Sequence, residues 1–428
     1  MTRYLATASI IALASTAAHA GGLDRTGQPI GLLFSEGNYA ELSFSRTNPD
    51  LNGEGLGTDA TGLAPASPAT QGFAVVQNAI GGGTEYDDVG ESFNTVGAGI
   101  KWQFNSTVSG ALLFDEAFGA DIAYSGDNST TELGGTRAKA ESSSLTALLR
   151  YAFDENWSAH GGVRVQRASG DISLRGTSYG PVNGYNVELE DDTSVGYVIG
   201  GAYEIPAIAL RVALTYSTEI EHDFDTTESY SLAPLSGVGT TLVGGQGSLP
   251  GGAAGAGVAA NVAPLLSGSS STEVKTPQSV NIDFQTGVAE DTLVFGSIRW
   301  AEWSEFQINP ENFEDLTGGG LVDLDDTWTY TIGVGRRFTD KFAAQASFTY
   351  EPETGDDELV SPLAPTRGQK AIALGGSYDL DGGVTLAGGV RYAWLGDATA
   401  ETGTPDVARA EFRDSTALSV GMRIGFAF

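Results

Sequence analysis

The chain has 428 residues, with 54 acidic against 22 basic side chains and a formal net charge of −32 at pH 7. That balance lacks the basic surface that phosphate binding needs, which excludes nucleic acid as a partner. With no cysteine and three histidines, disulfides, thiol chemistry and thiolate metal sites are excluded, and little remains for a histidine metal centre.

The first twenty residues read as an export signal. Arg3 supplies a positive start, Ala8 to Ala18 an apolar stretch, and Ala18-His19-Ala20 the A-x-A form of a cleavage site. The expected division is a signal at 1–20, a short N-terminal segment at 21–37 and a barrel at 38–428. The longest later apolar tract, Leu249 to Leu266, is broken by Gly and Pro and is no candidate for a membrane helix.

Alternation of period two then marks fourteen segments, near 38–47, 92–104, 111–125, 143–154, 157–169, 193–205, 208–220, 277–287, 291–302, 326–338, 341–352, 368–380, 383–395 and 413–428. Their connections alternate in length. Short ones are Asn105–Gly110, Asp154–Asn156, Ile205–Ala207, Val288–Glu290, Thr339–Asp340 and Asp381–Gly382; long ones are 48–91, 126–142, 170–192, 221–276, 303–325, 353–367 and 396–412. A soluble sandwich has no reason to sort its loops so, whereas an outer-membrane barrel puts tight turns on the periplasmic side and long loops outside. The faces agree. Leu418, Val420, Met422, Ile424, Phe426 and Phe428 share one side of the last strand, opposite Ser419, Gly421, Arg423, Gly425 and Ala427. Strand 383–395 repeats the pattern, as does 326–338. Trp102 and Trp157 fall at one end of the strands, and Trp300, Trp303, Trp328 and Trp394 at the other, where headgroups are expected. The chain stops on Phe428, as many outer-membrane barrels do. The fold class is therefore all-β, a transmembrane antiparallel β-barrel of about fourteen strands.

The same phase turns Lys101, Arg150, Arg164, Arg211, Arg299, Arg337, Arg391 and Arg423 into the lumen. Inward arginine can pair a carboxylate in bidentate geometry; equally, it can neutralise the inward acids Glu41, Asp121, Asp283 and Glu204. The third strand carries a phase fault. Leu112, Phe114, Phe118, Ala120, Ile122 and Tyr124 alternate, but Glu116 falls on their face, where a charge against lipid is costly. A bulge or kink at Asp115–Gly119 is expected to turn Glu116 inward. Two outer loops are apolar: Phe73-Ala-Val-Val-Gln-Asn-Ala-Ile80, containing Val75 and Val76, and Leu232 to Leu266, containing Leu242, Val243, Leu265 and Leu266. Such surface suits ligand capture, or packing over the barrel mouth. The acidic runs Glu188 to Asp192, Asp323 to Asp326 and Asp356 to Glu358 suit solvation or divalent cations bridging lipopolysaccharide, and no metal site is assigned. Gly176-Thr-Ser-Tyr-Gly180 has the G-x-S-x-G form but lies in an outer loop, not at a strand-to-helix elbow. His160 and His222 show no metal spacing, so neither an enzyme nor a cofactor is expected.

Several stretches resemble the FadL family of outer-membrane transporters for long-chain fatty acids and other hydrophobic compounds. They are Tyr151-Ala-Phe-Asp-Glu-Asn-Trp-Ser158, Ala213-Leu-Thr-Tyr-Ser-Thr-Glu219 through His222-Asp-Phe224, Trp300-Ala-Glu-Trp-Ser-Glu-Phe-Gln307 and Arg423-Ile-Gly-Phe-Ala-Phe428. The resemblance implies fourteen strands, an N-terminal plug called the hatch, and a kinked third strand that opens the wall sideways into the bilayer; Phe118-Gly119 is similar to the aromatic-glycine pair near that kink. The chain departs from the family in its short segment before the first strand, Gly21 to Gly37, which lacks the family's Asn-Pro-Ala motif. Within it Leu32, Leu33 and Phe34 are apolar enough to lie in a lumenal pocket; a disordered leader is the other reading. The expected function is passive uptake of long-chain fatty acids, with aromatic hydrocarbons next, by a monomer in contact with outer-membrane lipid and lipopolysaccharide. The alternatives are a general or anion-selective pore and a non-transporting structural barrel.

Overall fold

A computed structural model describes residues 23–57, 75–76, 82–128, 130–231, 241–242, 263–354, 359–403 and 407–428. The signal segment, Phe73, Val243 and the acidic run 356–358 lie outside the described residues, and only the backbone of Val75, Val76 and Leu242 is described.

The wall is built from β1 (Tyr39–Asp50), β2 (Phe93–Gln103), β3 (Val108–Asp115 and Gly119–Ala123), β4 (Arg137–Ala152), β5 (Trp157–Ser173), β6 (Tyr185–Ile205) and β7 (Leu210–Ser217 and Ile220–Tyr230). It continues through β8 (Gly268–Thr276 and Ser279–Ala289), β9 (Thr292–Ala301), β10 (Thr327–Arg337), β11 (Phe342–Glu351), β12 (Gln369–Asp379), β13 (Val384–Leu395) and β14 (Thr416–Ala427). Each strand pairs antiparallel with its neighbours, and β1 pairs with both β2 and β14, which closes a fourteen-stranded barrel. Closure satisfies the backbone from strand to strand, the condition for crossing hydrocarbon with strands.

Faces follow the alternation. Met422 is 63% exposed on the outside, and its neighbour Arg423 is 8% exposed on the inside. Trp328 and Trp394 point outward at the outer ends of β10 and β13. Trp303 does not join them. It is 1% exposed, because the chain leaves β9 at Ala301 and turns inward through a short 3-10 turn, Trp303–Glu305.

Strands β4 to β8 run beyond their expected ends, into segments read from the sequence as loops. There the pattern reverses. Charged residues such as Lys139, Arg167, Glu188, Glu190 and Asp223 face out, while Val187, Leu189, Phe224 and Val274 are buried inside. Above the membrane the outside is water, so a search for an apolar outer face stops too soon. Within this raised wall the outer loops pack an apolar core that includes Tyr86, Tyr124, Leu133, Tyr185, Phe313 and Phe412. A small sheet of Gly53–Gly55, Glu85–Tyr86, Leu359–Val360, Ala398–Thr402 and Val407–Phe412 crosses it. Among the described residues one α-helix, α1 (Glu311–Thr317), lies against β8.

Candidate functional site

The break in β3 organises the site. Leu112 and Phe114 face outward, but Phe118, Ala120, Ile122 and Tyr124 are all buried inside, so the phase inverts between Asp115 and Phe118. The ladder to β2 ends at Ala98↔Phe114, and beyond the break β3 pairs with β4, from Gly119↔Glu141 to Ala123↔Arg137. Residues 93–97 of β2 keep β1 on one side and have no ladder partner in β3. The wall closes again above, where Gly90 bridges Ile122 and the Glu91 N–H donates to Asp121 O at 2.9 Å. What remains is a gap in the strand pairing between two paired ends, called the window below.

Glu116 lies in the break itself, where its carboxylate accepts the Val96 N–H at 2.8 Å, satisfying a backbone donor that the departing strand left without a ladder partner. Phe118 and alternate residues after it turn inward. One expectation is corrected here. By the same inversion Asp121 is no lumenal acid, but sits opposite Lys139 of β4, whose side chain is exposed.

Residues 23–37 run inside the barrel. At the window they add backbone pairing to the kink: Arg25 N–H donates to Ala117 O at 2.7 Å and Gly119 N–H to Leu23 O at 2.9 Å. Asp24 holds Arg299, with Oδ2 2.9 Å from Nε and 2.8 Å from Nη2, and Asn281 donates to Gly27 O at 3.0 Å. Lower down, Ile30 and Leu33 pack with Ala111, Leu148 and Val198. Phe34 lies between two guanidinium groups, Arg150 at 5.0 Å and Arg211 at 4.7 Å from its ring centre, an arrangement that attracts through the ring's quadrupole. Lys101 Nζ donates to Ser35 O at 2.6 Å and Gly37 O at 2.9 Å. The side chain of Arg25 reaches into the window, 4.2 Å over the Phe93 ring. Burial holds its guanidinium below the ordinary arginine value, and the charges of Glu116, Asp121 and Glu141 act in the opposite direction.

Above Leu23 a cavity of about 80 Å³ adjoins the kink. Its walls are Phe118, Gly119 and Ala120 of β3, Ala138, Ala140 and Ser142 of β4, Ala168 and Ile172 of β5, Leu189 of β6, and Phe224 and Val274 of β7 and β8. Trp303, Phe306, Ile308, Val322, Leu363 and Ala364 cover it from the outer loops, and Ser169, His222, Thr276 and the charged pair Lys139 and Glu141 add polar groups. The inverted phase of β3 puts Phe118 against Trp303, ring centres 5.4 Å apart and edge to face.

Residues 63–428 match the profile of a family described as outer membrane protein transport protein (OMPP1/FadL/TodX). The chain belongs to this family. The FadL/TodX barrel places it in the outer membrane, among proteins that transport hydrophobic compounds. The fold is similar to that of a Pseudomonas aeruginosa FadL homologue, at 16% identity over 94% of this chain and 92% of that one, with a TM-score of 0.67. It is also similar to the Pseudomonas putida toluene transporter TodX, at 12% identity over 96% and 97% of the two chains, TM-score 0.57. The Ralstonia pickettii toluene transporter TbuX aligns at 11% identity over 94% and 92%, TM-score 0.56. No curated protein matches the chain in sequence.

Within this FadL/TodX barrel the inward arginines serve mostly as internal partners. Arg150 pairs with Glu204 and donates to Ser158. Arg164 donates to Thr146 at 2.9 Å, Arg211 to Gln285 at 3.0 Å and Arg391 to Gln369 at 2.5 Å. Arg337 ends β10, where its backbone N–H meets Asp291 O. None of these, nor Arg299, lines the cavity. Leu32, Leu33 and Phe34 belong to the packing lower in the lumen, and Asp115 accepts Thr26 Oγ1 at 3.4 Å. Of the apolar outer loops, Leu266 is buried in the outer core and Leu265 is exposed, while the backbones of Val75–Val76 and Thr241–Leu242 pair with each other. Arg25 and Trp303 were not among the expected site residues. Trp303 carried a signal, since its chain neighbours Glu302, Ser304 and Glu305 fit poorly in a lipid-facing strand.

Proposed function

We propose that the protein takes up hydrophobic molecules passively, receiving them from the outer loops into the cavity and releasing them sideways through the window in β3. The observation that carries this reading is a contiguity. Phe118 and Gly119 are at once cavity wall and window edge, while the lumen below is occupied by residues 23–37. An apolar guest gains about 2.5 kcal/mol for each 100 Å² it removes from water, which favours entry, and the bilayer beside the window favours exit. Fatty acids and aromatic hydrocarbons are the two ligand classes to be tried, the latter also because two proteins of similar fold are described as toluene transporters. The apolar segments around Val75–Val76 and Leu242 support capture outside.

The contacts of residues 23–37 within the barrel argue against a general pore. Planar-bilayer recordings test this: near-silence accords with the proposal, and a large steady current with a pore. Uptake of labelled oleate and of an alkylbenzene by a deletion strain, with and without the restored gene, tests transport itself. Equal uptake of both compounds in both strains removes it and favours a structural barrel.

A further inference from the structure

We infer that the cavity takes uncharged molecules with an apolar body and at most one hydrogen-bond acceptor, and that the indole N–H of Trp303 is the group that receives it. This rests on the uptake reading above and narrows its substrate class.

Apart from Ser169, the polar side chains around the cavity are already committed within the protein. Ser142 Oγ donates to Phe118 O at 2.8 Å and accepts the Phe118 N–H at 3.0 Å. His222 has Nδ1 2.7 Å from Asp192 Oδ2 and Nε2 3.1 Å from Gln166 Oε1, and Thr276 Oγ1 donates to the same Gln166 oxygen at 2.8 Å. Lys139 pairs with Glu141 at 2.8 Å. A carboxylate that entered would give up its water and meet only cations that already have partners, Lys139 on Glu141 and Arg25, behind Gly119, on the Phe93 ring, and an ionised group without a partner is disfavoured in such a space.

Trp303 is the exception. Its Nε1 is buried with no hydrogen-bond partner among the described residues, on a ring that forms part of the cavity wall. Phe118 and Phe306 hold that ring edge to face, at 5.4 Å and 5.7 Å. An indole N–H donates and cannot accept, and leaving it unpaired in the interior is costly. A ligand oxygen of an ester, ether or ketone would supply the acceptor.

The test is competition on the purified protein in detergent, read as displacement of N-phenyl-naphthylamine and corrected for partition into empty micelles. Methyl decanoate, decanoate and hexylbenzene are compared at pH 8, where decanoate is ionised. Methyl decanoate should displace the probe at a concentration on the order of 30-fold lower than decanoate. Trp303→Phe should weaken the ester about 5-fold more than it weakens hexylbenzene. Decanoate binding as well as its ester overturns the inference, and so does a Trp303→Phe effect equal on ester and hydrocarbon. Uptake by the deletion strain is scored separately: unchanged uptake of all three compounds removes the transport reading, while the order of binding still decides this one.

Discussion

The guanidinium of Arg25 occupies the space that a side chain on Gly119 would need. A Cβ on Gly119 would stand 2.5 Å from Arg25 Cζ, 2.7 Å from Nη1 and 2.9 Å from the Ala140 carbonyl oxygen. The N-terminal segment and the broken strand therefore fit together only because residue 119 is glycine, and both meet where the pairing of β2 with β3 is interrupted.

Gly119→Val should fill that meeting point. The valine forces Arg25 aside and crowds the β4 backbone, at a strain of about 1–3 kcal/mol, small beside the stability of a closed barrel. Uptake of hydrophobic ligand should fall about tenfold, while the heat-modifiable mobility of the folded barrel in gels stays normal. Uptake at the level of the unaltered protein would end the case for exit at β3.

Arg25→Ala should act in the other direction. It removes the cation from the Phe93 face, a contact of about 0.5–2 kcal/mol, and clears the window without touching the packing of Ile30 and Leu33. Initial uptake rates should rise about 2- to 5-fold, with no gain in ion conductance. A rate that does not move shows that Arg25 is no obstacle to the passing ligand.

Phe34→Ala tests the lower seal. The ring is lost from between Arg150 and Arg211, at a cost of about 3 kcal/mol for a large-to-small change. Residues 30–35 should loosen in their seat, and planar bilayers should show conductance steps that the unaltered protein lacks. Continued silence would mean that Lys101 and the Asp24–Arg299 pair hold the segment without Phe34.

Glu228→Gln probes how α1 is fastened over the barrel. The buried carboxylate accepts the backbone N–H groups of Asn312 and Phe313 at 3.0 and 2.9 Å, the Asn312 amide at 2.9 Å and the Tyr185 hydroxyl at 2.7 Å. Glutamine turns one of those acceptors into a donor facing donors, a loss of about 2 kcal/mol. Amide exchange in residues 311–317 should accelerate while the strands below keep their protection. Unaltered exchange would show that Phe313 and Leu316, buried in the outer core, suffice to anchor the helix.

The lipid-facing wall was legible because its signal is local. Leu418, Val420 and Met422 repeat every second residue against one solvent, oil, and the tight turns between strands leave little freedom in pairing order. The fault at Glu116 was legible for the same reason, as a charge at a position where lipid forbids one. The partner of its carboxylate was not, because that depended on Val96 offering a free N–H from the neighbouring strand. The raised ends of β4 to β8 escaped notice because their exterior meets water, which reverses the face that alternation is read from.

Residue order alone thus determined a closed barrel of this strand number, its inside and outside, and the place where its wall is interrupted, since each is a matter of neighbours one or two positions apart. Only the tertiary structure decided what fills the interruption and what surrounds the cavity. Arg25 meets Gly119, Asp24 meets Arg299, and Trp303 meets Phe118 across long stretches of chain, and such contacts are set by barrel closure and by the path of the N-terminal segment, for which no short-range periodicity exists.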